Sequence, residues 1–328
     1  MALQRSRFLA LAAAAALALS ACSSPAPSSS PTAAAASSVT VTDNNGSHTI
    51  ATPPKSVVAT DNRTFQTLSE FGVKLSAGAV ALMPDTNPYK KDASIVDTGN
   101  HREPNLEAIV AANPDLVIVG QRYTGHYENI AKLVPEAKVL LLDPREGQPW
   151  DQEMKRQTTV LGEIFGKQAE AKAINDKFDA AIARVKAAYD PADKVMALNV
   201  SNGNIGYISA DEGRTLGEAV RFLGLTESFS VTNPTMDHEG EEVSVEAIAE
   251  SNPDWFLVMD RTAGVGASDG AEVRPALEII DNNPALANVT AVKNDAVVVM
   301  QDDAYLNESV QMYTSFLNAF ADALEKAK

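Results

Sequence analysis

Three arginines are placed where they could grip an oxygen-rich anion. Arg122 follows Gly120-Gln121, Arg261 follows Val258-Met259-Asp260, and Arg214 follows Asp211-Glu212-Gly213. Each guanidinium carries a permanent charge and a fork of donors, so a group of them suits a polyanionic, oxygen-rich ligand. Two of them occupy equivalent positions of a repeat. Residues 103–122 and 242–261 align at a constant offset of 139, with nine of twenty positions identical, including Glu107/Glu246, Asn113/Asn252, Pro114/Pro253, Asp115/Asp254 and Arg122/Arg261. Each copy reads as a short helix, an Asn-Pro-Asp turn, a buried strand and then the arginine. In open α/β sheets, ligands bind beyond the carboxyl ends of strands. For a single arginine an ion pair with a sequence neighbour, Asp260 or Glu212, is the simpler account; for two at one repeat position, a ligand is favoured.

Other residues could add to such a site. His238 stands in a polar loop, Met236-Asp237-His238-Glu239-Gly240, and Tyr305 in Asp302-Asp303-Ala304-Tyr305-Leu306 before the last helix. Taken alone, the first is a solvated loop histidine and the second a packing residue. With four histidines and one cysteine, and no HExxH or cysteine pair, there is little material for a zinc site. No nucleophile elbow, phosphate-binding loop or dinucleotide glycine fingerprint is present, so the chain reads as a binder rather than an enzyme. Glu107 and Glu246 fall in the first turns of the two repeat helices, capped by Asn105 and Ser244. They either complement the helix dipole or present two equivalent docking acids to a partner with two basic patches.

The elements needed to position these residues are legible. Strands at 56–59, 74–80, 116–119 and 138–142 alternate with helices at 64–71, 106–112, 127–134 and 152–165, after a hairpin at 39–51 turning on Asn45-Gly46. The pattern resumes with strands at 195–200, 255–259 and 297–300, and helices at 216–223, 245–250, 275–280 and 308–325. Such βα alternation implies α/β lobes with mainly parallel sheets. Between the repeats, 167–190 carries one apolar stripe, Ile174, Phe178, Ile182, Val185 and Tyr189, and is stopped by Pro191. It is either a rigid strut joining two lobes or a surface helix of one.

The first 21 residues form a targeting segment: Arg5 and Arg7, then an apolar stretch at 8–19 too short to span a bilayer. Leu19-Ser20-Ala21-Cys22 reads as a lipoprotein cleavage site with Cys22 lipidated, in preference to a plain secretory signal. Residues 22–38 then form a flexible tether rich in Ser, Pro and Ala. Loss of Arg5 and Arg7 takes the net charge from −16 to −18, against a nucleic-acid partner.

Lipidation site, tether, paired lobes, long helix and the EAI-x-x-x-NPD repeat together resemble the iron-siderophore class of ABC-importer substrate-binding lipoproteins. The resemblance covers the mature body from about Val39, and is strongest to the catecholate-siderophore subgroup. It implies two Rossmann-like lobes (39–166 and 191–328) joined by the 167–190 helix, with a ligand cleft between them. It implies that Arg122, Arg214 and Arg261 hold catecholate oxygens, that His238 and Tyr305 complete the shell of the siderophore-bound iron, and that Glu107 and Glu246 dock on the permease. The implied protein is a membrane-anchored monomer outside the cytoplasm, with no intrinsic cofactor. The surroundings of Arg214 are more acidic than is usual in that class. Asp61-Asn62-Arg63 replaces a usually small or apolar helix start, which makes Arg63 a fourth candidate cation. Met83, Tyr89, His101 and Arg102 are expected on the cleft rim. Hydroxamate siderophores, haem or cobalamin are alternative ligands, and a siderophore-modifying enzyme is an alternative of another class.

Overall fold

A computed structural model describes residues 37–235, 239–266 and 273–328. The described residues begin with an antiparallel hairpin, β1 (Ser37–Thr42) and β2 (Ser47–Thr52). Asp43 closes its turn by accepting from the backbone N–H groups of Asn45 and Gly46. The strand starts inside the expected tether, because Ser37 pairs with Thr52 and donates its hydroxyl to that carbonyl at 2.8 Å. A five-stranded parallel sheet follows: β3 (Val57–Ala59), β4 (Ala77–Gly78), β5 (Val96–Asp97), β6 (Leu116–Val119) and β7 (Lys138–Leu141), in the order β5-β4-β3-β6-β7. Strands β3 and β6 are buried at every position, as expected of parallel strands covered on both faces. The accompanying helices are α1 (Phe65–Glu70), α2 (Leu106–Ala111) and α3 (Tyr127–Leu133).

Two long helices come next, α4 (Trp150–Phe165) and α5 (Gln168–Ala188). The second sheet holds β8 (Lys194–Ser201), β9 (Asn204–Tyr207), β10 (Thr226–Glu227), β11 (Glu241–Glu242), β12 (Trp255–Asp260) and β13 (Val297–Val299). Its path is β11-β9-β8-β12-β13, with β10 beside β8. The pairings of β8 with β10 and β12, and of β12 with β13, are parallel; those of β9 with β8 and β11 are antiparallel. That antiparallel edge rests on a hairpin turn at Asn202-Gly203, both residues left-handed, an Asn-Gly signal of the same kind as at 45–46. Helices α6 (Leu216–Leu223), α7 (Val245–Ser251), α8 (Arg261–Val265), α9 (Ala276–Asp281), α10 (Thr290–Lys293) and α11 (Val310–Lys326) complete the fold.

The repeat has a physical reason. Asn113 and Asn252, at φ 44° and 43°, end α2 and α7 in the left-handed conformation that asparagine tolerates. Asp115 then accepts from the backbone N–H groups of Lys55 and Ser56, and Asp254 from that of Lys194. Each aspartate thus pins the start of the neighbouring parallel strand and sets the register of its sheet.

Helix α5 has the expected stripe and joins the two cores. Phe178, Ile182 and Val185 lie in the core of the second sheet, Ala171 in that of the first, and Ile174 packs against both. At 1.5 Å per residue it is roughly 32 Å long. Helix α4, expected at 152–165 as the last helix of the first lobe, also bridges. Val160, Leu161 and Ile164 enter the first core while Met154 enters the second, and Trp150 stacks on Phe222 with centroids 5.6 Å apart. Among the described residues no helix is long and apolar enough to cross a membrane.

Candidate functional site

The turn after β6 aims Arg122 into the groove between the sheets. Gly120 packs so closely on Asp61 that a Cβ there would collide with the carboxylate. Gln121 turns the chain at φ 46°, held by its N–H donating to Asp143 Oδ1 at 2.9 Å. Arg122 then donates through Nη2 to the Tyr305 carbonyl at 3.2 Å, and its guanidinium lies 4.9 Å from the Tyr305 ring centroid. Arg261 opens α8 from the other sheet. Its guanidinium lies 5.1 Å from the same ring, and Nη1 donates to Ser201 Oγ at 3.0 Å. The two repeat-equivalent arginines therefore converge on one tyrosine. Burial alone would raise the Tyr305 phenol, but the charges of Arg122 and Arg261 outweigh it and hold the group below its ordinary value.

Beneath them lies a charge cluster built on Glu308, 1 % exposed. Its Oε1 accepts from Arg214 Nη2 at 2.5 Å and from Gln121 Nε2 at 3.0 Å, with Arg122 at 3.9 Å; its Oε2 lies 3.3 Å from Arg63. Burial opposes ionisation of Glu308, yet Arg214, Arg63 and Arg122 together hold its carboxyl below the usual range. Arg63 is also bound to Asp143 at 2.7 Å and lies 3.7 Å from Glu218, so the fourth candidate cation is a buried support of the cleft wall. Asp61 shares this core, accepting from Gln157 Nε2 and the Arg63 N–H. Burial, reinforced by Asp143, pushes it up to about 7 against the opposing pull of Arg63.

The ion-pair partners suggested by sequence proximity are not the ones used. Asp260 caps α8 by accepting from the Ala263 N–H and also takes the Ala276 N–H. Arg261 lies 3.4 Å from Glu239 instead, and Arg214 pairs with Glu308 rather than Glu212. The last helix, expected from 308, starts at Val310, because Ser309 caps it by accepting from the Met312 N–H. Glu308 is thereby released from the helix to face the arginines. A serine just before a periodic apolar run was the signal that could have placed it.

Among the described residues, two hollows of the groove meet at His101 and Arg122. One, of about 790 Å³, runs from Met83, Arg102 and Arg122 to Arg261, Asp303 and Tyr305; the other, of about 1030 Å³, lies between Arg63, Asp143 and Trp150 on one side and Arg214, Arg221 and Phe222 on the other. Met83, His101 and Arg102 line it as expected. Tyr89 instead packs in the first core and donates its hydroxyl to the Val73 carbonyl. Glu107 and Glu246 are exposed in the first turns of α2 and α7. His238 and Cys22 lie outside the described residues.

The family model described as periplasmic binding protein matches residues 57–304. The petrobactin-binding protein YclQ of Bacillus subtilis is 27% identical over 294 residues, covering 87% of this chain and 86% of its own. The ferric-anguibactin-binding protein FatB of Vibrio anguillarum is 28% identical over 265 residues, covering 80% and 79%. In fold, the chain resembles the crystal structure of YclQ with a TM-score of 0.73 at 22% identity, over 88% of this chain and 99% of that one.

Two outcomes are expected. Glu308→Gln removes the anion shared by buried arginines, and stability measured by denaturant unfolding should fall by roughly 3–5 kcal/mol. Asp61, raised in the folded state, contributes stability that is full below its ordinary value of 3.8 and is lost as pH rises through about 7. Unfolding followed across this window should show a shallower decline in Asp61→Asn than in the unaltered protein.

Proposed function

The chain belongs to the periplasmic binding protein family, and within it we propose an extracytoplasmic protein that captures a ferric siderophore of catecholate type and delivers it to an ABC importer. The observation that carries this reading is the convergence of Arg122 and Arg261 on Tyr305, with Arg214 alongside. Ferric iron is hard and prefers oxygen donors. Its catecholate complexes are anionic, which suits the arginines that converge in the cleft of an otherwise acidic protein. The phenol held low at Tyr305 is a ready oxygen donor for a chelate that leaves iron positions open, and a histidine would fill the other. Relatives named for petrobactin and ferric-anguibactin support an iron-chelate cargo. Hydroxamates, haem and cobalamin make less use of clustered arginines. A siderophore-modifying enzyme would need a base beside the ligand and would yield product from intact siderophore, abolished in His238→Ala.

In this proposal Cys22 carries the lipid anchor, residues after it tether the body, and the binding protein works as a monomer. Glu107 and Glu246, one from each repeat, dock on the permease.

Trp150 lines the groove whereas Trp255 is buried, so quenching of Trp150 fluorescence reports occupancy. Titration with ferric catecholates, ferric hydroxamates, haem and cobalamin should give tight saturable quenching with catecholates alone. Arg122→Ala and Arg261→Ala should each weaken it by about tenfold or more, ~1.4 kcal/mol, while remaining folded. Preference for another ligand, or unchanged affinity in both variants, overturns the assignment. Charge reversal at both Glu107 and Glu246 should abolish iron uptake by cells while leaving affinity for the ferric catecholate unchanged.

A further inference from the structure

Asp61 is a carboxyl group sealed beneath the groove floor, and its surroundings suit two protonation states. It is 0 % exposed and lies directly behind the Arg122 turn, where a Cβ on Gly120 would come within 2.4 Å of its Oδ2. Oδ1 accepts from the Arg63 backbone N–H at 3.0 Å, and Oδ2 from Gln157 Nε2 at 2.8 Å. Neither partner is a charged group. A primary amide serves either form of a carboxyl: its NH2 donates to a carboxylate and, turned over, its carbonyl accepts from a carboxylic acid. The Arg63 guanidinium is meanwhile engaged by Asp143 at 2.7 Å, Glu308 at 3.3 Å and Glu218 at 3.7 Å.

Among the described residues, four carboxyl groups of this cluster meet three guanidiniums: Asp61, Asp143, Glu218 and Glu308 against Arg63, Arg122 and Arg214. They come from every side: Arg63 from the loop of Asp61 itself, Asp143 from the loop after β7, Glu308 from the segment before α11, Glu218 and Arg214 from α6 and the loop before it, Arg122 from the turn after β6. A surplus negative charge shielded from water is costly. Burial, reinforced by Asp143 and opposed by Arg63, accordingly places Asp61 at about 7. Arg63 and Asp143 also line the larger hollow, so the charge of an occupant reaches Asp61 through the groups that set its own.

We propose that Asp61 takes up a proton when the anionic ferric siderophore enters the groove, so that the floor offsets part of the added negative charge. This rests on the ferric-siderophore reading above. The proton comes from solvent and resides on Oδ2, with the Gln157 amide turned to accept it. An anion drawn to Arg63 and Arg214 weakens their hold on the carboxylates behind them and raises the proton affinity of Asp61. Above about 7 the group is ionised in the empty protein and binding must protonate it; well below, it is already protonated and binding leaves it unchanged. Affinity therefore falls as pH rises through this value. His101 is the rival acceptor, because it lines both hollows and its imidazole is held below its ordinary value by burial, then by Arg122, Arg102, Arg214 and His126.

The test is calorimetric titration of a ferric tris-catecholate into the unaltered protein, Asp61→Asn and His101→Gln, in buffers of different ionisation enthalpy. Just above pH of about 7 the unaltered protein should take up a substantial fraction of a proton, and its affinity should weaken by up to about tenfold per pH unit. His101→Gln should keep this uptake. Asp61→Asn, which mimics the protonated acid, should lose it together with the slope of affinity against pH. Infrared difference spectra of the unaltered protein give a readout that does not depend on either variant folding: binding should create the carbonyl band of a carboxylic acid, shifted when aspartate is isotope-labelled. Binding without proton uptake, uptake kept in Asp61→Asn or lost in His101→Gln, or no label-sensitive acid band each overturn the proposal while the ferric-siderophore reading stands. Failure of the unaltered protein to bind the ferric tris-catecholate overturns the ferric-catecholate reading, and this inference falls with it.

Discussion

One buried carboxylate allows a cluster of guanidiniums to exist in this groove. Glu308 comes from the segment before α11, Arg63 and Arg122 from the loops after β3 and β6, and Arg214 from the loop before α6. Like charges this close, shielded from water, would repel one another without a shared counter-charge. The carboxylate takes up one side of the cluster and leaves the other toward the groove. The arginines are thereby ordered before any ligand arrives, which lowers the entropy lost on binding. Glu218 and Asp143 extend the same balance around Arg63, and Tyr313 donates to Glu218 from within the second core.

The same cluster is part of a seam between the two sheets. Asn62 donates to the Leu306 carbonyl, Gln66 accepts from both Asn307 and Ser309, and Gln311 donates to Thr67 and Glu70. These contacts join α1 and the loop before it to the start of α11 and the segment that precedes it. With α4 and α5 contributing side chains to both cores, the groove floor is tied by packing as well as by charge. The two walls that face a ligand, carrying His101 and Arg122 on one side and Arg261 on the other, hang from this floor on short loops.

Tyr305 shows how the parts cooperate. Gly264 in α8 brings the backbone close against it, so that an added Cβ would sit 3.2 Å from the Tyr305 Cβ. The ring is then held between guanidiniums supplied by the two copies of the repeat. The charges of these two guanidiniums outweigh the burial of the phenol and hold it below its ordinary value.

Much of this was legible in the order of residues. The Asn-Pro-Asp repeat, the βα alternation and the stripe of α5 depend on local backbone preference and on periodic burial, both of which are written along the chain. They place Arg122 and Arg261 beyond strand ends, and Tyr305 and Glu308 near the start of the last helix. The partners of those side chains were not legible. Arg214 finds Glu308 at a separation of 94 residues and Arg63 finds it from the other sheet, whereas Asp260, adjacent to Arg261, is consumed by backbone N–H groups. The bridging role of α4 and the burial of Tyr89 were likewise decided by how the sheets pack. Local geometry follows from neighbours in sequence; which charge meets which, and what each leaves unpaired, follows only from the folding of distant segments onto one another.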